Sequence, residues 1–152
     1  MEFVEFLDQQ EIEIIKIIEK AGYSTEENSP ICLLSKNYAG FLKKTQRIVV
    51  ICTDNAKEKE GYKFAKKLNT DTYERVARHI KKALRHEAAH VAQECNDGKV
   101  LDIKQRLSLN TVKIKALKGS IKLSGEEGKE MQAYILEDKP RLLKRELKKY
   151  CL

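Results

Sequence analysis

In this 152-residue chain, the types and spacing best suited to chemistry lie in His86-Glu87-Ala88-Ala89-His90, an HExxH arrangement. Residues four apart stand one turn apart on the same helix face, so two imidazoles at that spacing can converge on one zinc ion. The glutamate beside the first histidine is turned about 100° round the axis. There it is out of ligating reach but can serve a metal-activated water as general base. On a helical wheel the two histidines are about 40° apart. The apolar stripe of Tyr73, Ile80, Leu84 and Val91 is centred on the order of 120° away. The histidines therefore point to a flank of the core, where a cleft would lie, and His79 shares their stripe. The plainer alternative is a solvated face with two coincidental histidines.

Two imidazoles leave a third ligand to be found. Glu94 follows His90 by four residues, but ligands at i, i+4 and i+8 span about 12 Å of straight helix, too far to close on one ion. The extended HExxHxxGxxH pattern is absent, because Gln93 and Asn96 stand where it wants Gly and His, which excludes the metzincin class. The better donors lie downstream, around residues 129–137, with Glu126, Glu127, Glu130 and Glu137 all open at this point.

The motif needs a helix, and it has one. Apolar residues recur at spacings of three and four from Tyr73 to Cys95, no Gly or Pro interrupts them, and Asn96-Asp97-Gly98 supplies stop chemistry. An amphipathic helix is expected from about Val4 to Ala21, ahead of Gly22, followed by a polar loop through Asn28, Ser29 and Pro30. Ile31–Leu34 reads as a short strand, and Arg47–Thr53 as the best strand of the chain, β-branched and apolar enough to be buried. Residues 57–68 are ambiguous. Residues 99–123 alternate weakly and suggest exposed strands or a basic loop. A short helix over Lys129–Asp138 and a final basic helix from Pro140 to about Tyr150 complete the order.

Composition bounds the class. One domain over residues 1–152 is the expectation at this length. Charged residues make up 35% and apolar residues 41%, which is polar for a globular chain yet too apolar for a disordered one. No apolar run approaches the roughly 18 residues of a membrane span, and the acidic start does not resemble a signal peptide. Cys32, Cys52, Cys95 and Cys151 form no CxxC pair and sit among apolar neighbours. They read as reduced residues of a cytoplasmic protein, without disulfide staples. The +7 formal charge is uneven, with −6 over residues 1–30, +9 over residues 31–139 and +4 over residues 140–152. A basic body could attract nucleic acid, but no recognition motif accompanies it, and a solvated lysine surface is the simpler reading.

HExxH on a long helix, followed by a later helix bearing Glu130-x-x-Ala133 and a further acid, resembles the gluzincin-type zinc metallopeptidases. The resemblance covers residues 73–138, about half the chain, and departs from the thermolysin-like pattern at Lys129 and Tyr134, where that pattern has Asn and Asp. It implies that Glu130 is the third zinc ligand beside His86 and His90, and that Ala133 lets the helices approach. It further implies an extended peptide substrate laid antiparallel along an edge strand, for which Arg47–Thr53 or Ile31–Leu34 are the candidates. Its activity would be hydrolysis with Glu87 as general base. A Tyr or His would donate to the developing oxyanion, with Tyr134, Tyr62 and His79 as the candidates. A carboxylate such as Glu137 would orient an imidazole. The fold expected is α+β, a small zincin-like domain with the long helix packed on a short sheet and helices at both ends. The competing expectation is a basic nucleic-acid- or protein-binding module on an inactive scaffold.

Overall fold

The computed structural model describes residues 1–61, 70–103, 113–118 and 126–152. The architecture is α+β, six helices and a three-stranded sheet among those residues. A 3-10 turn, Glu2–Phe6, precedes α1 (Gln9–Lys20), β1 (Ser24–Glu27) and a second 3-10 turn, Pro30–Leu33. Then come β2 (Gly40–Lys43), β3 (Ile48–Ile51), α2 (Thr53–Lys59) and α3 (Thr70–Cys95). A short helix over residues 113–118 (α4), α5 (Glu127–Leu136) and α6 (Pro140–Cys151) follow. No helix among the described residues is long and apolar enough to cross a membrane.

The long α3 is the spine, and α1, α5, α6 and the sheet all pack on it. Val76, Ile80, Leu84, Ala88 and Val91 are fully buried along it, meeting Phe3, Ile14, Ile18, Val49, Ile51, Leu136, Leu143 and Leu147 in one core. Tyr73, the first member of the apolar stripe, is 40% exposed and stacks on Phe6 instead. The helix stops where expected. Asp97 takes φ 57° and Gly98 φ 73°, and the Gly98 N–H closes back on the Gln93 carbonyl at 2.9 Å. That is the Schellman pattern of a helix end.

The sheet order is β1-β3-β2, with β1 parallel and β2 antiparallel to β3. Several expectations change here. The Arg47–Thr53 run narrows to β3, the buried central strand that its apolar composition favoured, so it does not supply the edge that the resemblance also allowed it. Ile31–Leu34 is no strand. Pro30 opens a 3-10 turn there that buries only Cys32 and leaves Leu33 and Leu34 in solvent. The polar Ser24–Glu27 forms β1, because an edge strand can be polar on both faces. The single N-terminal helix breaks at Leu7, whose extended backbone separates the first turn from α1, and the Asp8 N–H reaches the Glu11 carboxylate at 3.1 Å. The strands or loop expected for residues 99–123 include the helical residues 113–118, and the remainder of that stretch beyond residue 103 lies outside the described residues, as do residues 62–69.

The cysteines also overturn their expectation. Cys32 is bonded to Cys52, and Cys95 to Cys151. The pairs are 20 and 56 residues apart and meet only when the 3-10 turn docks on the end of β3 and α6 docks on α3. Apolar neighbours mark a buried cysteine of either redox state, which is why they misled.

Candidate metal centre

Two helices bring the site together. The C-terminal half of α3 presents His86, Glu87 and His90, and α5 crosses it with Glu130 on its inner face, beside the fully buried Ala133. His86 Nε2 lies 3.2 Å from one Glu130 oxygen and His90 Nε2 lies 3.0 Å from the other. One donor atom from each of the three lies within 4.8 Å of the other two. Metal–ligand bonds of about 2.0–2.1 Å in a tetrahedron set neighbouring donors about 3.3 Å apart. Three donors within 4.8 Å of one another can close on a single ion with small shifts, and the N2O donor set is one that zinc accepts. Each ring also spends its other nitrogen on the protein. His86 Nδ1 stands 3.6 Å from Glu137, and His90 Nδ1 is 2.8 Å from the Gln93 side-chain oxygen.

The electrostatics are those of a buried, mutually neutralising cluster. Burial alone would pull the His86 imidazole down, but its bonds to Glu130 and Glu137 override that and push it up to about 10. Burial likewise would lift Glu130, yet hydrogen bonds from His86 and His90 hold its carboxyl far below the ordinary range. Glu87 is different. Burial raises it, Glu130 and Glu137 add to the rise, and the two imidazoles only partly oppose it.

The cluster floors a cleft of about 430 Å³, walled by β2 and by Lys82, Ala83 and Tyr134. Glu87 touches the strand itself. A Cβ on Gly40 would stand 3.0 Å from Glu87 Cγ and 3.3 Å from Ala83 Cβ, so only glycine lets β2 approach α3 this closely. The Cys52 N–H bonds to the Ala39 carbonyl, which makes Ala39–Cys52 a hydrogen-bonded pair. Antiparallel alternation then turns the N–H and C=O of Gly40 and Leu42 away from β3, toward the side that carries no further strand among the described residues.

A family model, a domain of unknown function designated DUF8637, matches residues 3–152. The chain belongs to that family. No curated protein and no solved structure matches it.

Of the site residues named from sequence, His86, Glu87, His90 and Glu130 come together. Tyr134 joins them, its ring edge-on to His86 at 4.4 Å between centroids. Glu137 is buried between His86 Nδ1 and the Lys113 ammonium, 3.6 Å from each. Glu126 is held at the rim by Lys44 and Lys129, Glu127 is exposed, and Glu94 pairs with Lys44. His79 lines the cleft with Nδ1 on Glu60 at 3.0 Å; burial, then the nearby Lys59, lowers it. Tyr62 lies outside the described residues. Sequence reasoning missed Gln93, Gly40 and Lys113. The Lys113 ammonium donates to the Tyr134 carbonyl at 2.9 Å and lies 3.6 Å from Glu137. Gln93 had one local signal, its position three residues past His90 on the same face.

Proposed function

We propose that this chain is a zinc-dependent peptidase in which His86, His90 and Glu130 hold the metal. The observation that carries the reading is the convergence of those three donors, from two helices, with Glu87 buried beside them against β2. Zinc bound there would supply a Lewis acid, bringing a coordinated water toward a pKa of about 7 and polarising a carbonyl. The protein's own groups do the rest. Gly40 and Leu42 offer backbone donors and acceptors to an extended peptide, which pairs with β2 as an added antiparallel strand and lies across the cleft. Glu87 takes a proton from the attacking water and returns it to the leaving amine nitrogen; its raised affinity for protons suits both halves of that transfer. Tyr134, packed on His86, is the donor assigned to the carbonyl oxygen as charge builds on it.

A long helix over a small sheet, ligands from a second helix and an edge strand along the cleft are together what the gluzincin resemblance implies. The edge is supplied by β2 in place of the two segments first considered. The two disulfides favour an oxidising setting over a reducing cytoplasm. Glu87→Gln tests the assignment. The variant should keep its zinc while hydrolysis of a mixed peptide pool, followed by mass spectrometry, falls about 10²- to 10⁴-fold. A zinc-loaded variant as active as wild type would remove Glu87 from the mechanism.

A further inference from the structure

We propose that Gln93 is a positioning residue that fixes the His90 tautomer and the seat of Glu130 together, an inference that rests on reading His86, His90 and Glu130 as metal ligands. At the backbone the roles of donor and acceptor are fixed. The Leu101 N–H can only donate, and it donates at 2.8 Å to the Gln132 side-chain oxygen. The Leu101 carbonyl can only accept, and it receives the Gln132 amide at 2.8 Å. Those two bonds orient the Gln132 amide. Its oxygen then faces the Gln93 amide nitrogen at 3.0 Å, and that nitrogen also donates to the Lys129 carbonyl at 3.1 Å. With its nitrogen committed to two acceptors, Gln93 must present its oxygen to His90 Nδ1, 2.8 Å away. His90 therefore keeps a proton on Nδ1, and the proton that Nε2 shares with Glu130 at 3.0 Å is the one a metal would displace, leaving Nε2 to ligate.

The same side chain sets the other ligand. Lys129 precedes Glu130 on α5, and Gln132 follows two residues later, so Gln93 grips the helical turn that carries Glu130. Gln93 is 1% exposed and Gln132 8%, which keeps water from substituting for either. One amide thus spans α3 and α5 and meters the separation of His90 from Glu130. A glutamine whose role was only to fill space would have no need of this fixed polarity.

The experiment compares wild type, Gln93→Met and Gln93→Glu by chelator competition for zinc and by nitrogen-15 spectra of the zinc-loaded histidine rings. Gln93→Met keeps the volume and removes every bond; zinc binding should weaken roughly ten- to a hundredfold. Gln93→Glu keeps an acceptor for His90 but loses the grip on α5, so its affinity should fall between the other two. In zinc-loaded wild type, His90 should ligate through Nε2 and hold an Nδ1 proton protected from exchange, and Gln93→Met should lose that protection. A Gln93→Met protein that binds zinc as tightly as wild type overturns the inference while leaving the metal reading intact. So does a wild-type His90 that ligates through Nδ1 or exchanges that proton freely, a result independent of whether either variant folds. A wild type that takes up no zinc overturns the metal reading, and this inference with it.

Discussion

Burial and charge at His86 and Glu130 have consequences that titration can read. Without metal, the two form a buried ion pair in which each partner's charge is favoured by the other. His86 is raised from 6.5 to about 10, so its contribution to stability is full below about pH 6.5 and fades as pH rises through 10. Glu130 is lowered, so its contribution is present above its ordinary 4.5 and is lost as acid takes the pH down through its depressed value. Zinc needs a neutral His86, and at pH 7–9 the metal-free ring must give up its proton to bind. Zinc affinity should therefore rise about tenfold per pH unit across that range, with about one proton released. Calorimetry in two buffers of different ionisation enthalpy measures both. An affinity flat in pH, with no proton released, would contradict the ion-pair description. At this scale the two histidines were legible from sequence because i, i+4 spacing is a local rule, whereas Glu130 followed only from the resemblance. Gln93 was not legible, since its meaning depends on Gln132 and Lys129, which reach it only after α5 docks.

The elements explain how a short sheet comes to serve a helix. β2 reaches α3 because Gly40 has no Cβ, and that contact sets Glu87 against a strand that walls the cleft. Gly40→Ala should push on Glu87 Cγ and Ala83, costing about 1–3 kcal/mol as the pair separates. Hydrolysis should fall while zinc content holds, because the three ligands do not touch Gly40. Denaturant midpoints and peptide turnover on the same preparation check this, and an alanine variant of unchanged stability and activity would show that the approach is looser than it looks. The helix α3 was legible in sequence end to end, from its uninterrupted period to its Asn96-Asp97-Gly98 stop. The strands were not. β1 is Ser-Thr-Glu-Glu, an edge with no apolar face to betray it, and β2 is four residues beginning with glycine. Ile31–Leu34 looked like a strand because apolar runs do, but Pro30 turned it into a 3-10 turn.

At the scale of the whole molecule, the two disulfides fasten the periphery of the site to its spine. Cys95–Cys151 ties the end of α3 to the end of α6, and Cys32–Cys52 ties the Pro30–Leu33 turn to the end of β3. By loop length the first should contribute about 4 kcal/mol and the second about 3 kcal/mol. Pairing of this kind is invisible in a linear reading, since it follows from which elements pack together. The uneven charge takes on a local meaning too. Acids of the N-terminal region meet lysines of the helices, as in Glu13–Lys144 at 2.8 Å and Asp8–Lys81 at 2.9 Å, so much of the charge contrast is internal to the fold. What the molecule assembles, from an α3 legible in sequence and an α5 only partly so, is one three-donor centre among its described residues. The most direct test of that centre is the metal content of the purified protein after exposure to zinc and removal of the excess, wild type beside His90→Ala. One zinc per wild-type chain and none in the variant, with both folded, is the expected result; a wild type that returns metal-free, or a variant that keeps its zinc, would rule the centre out.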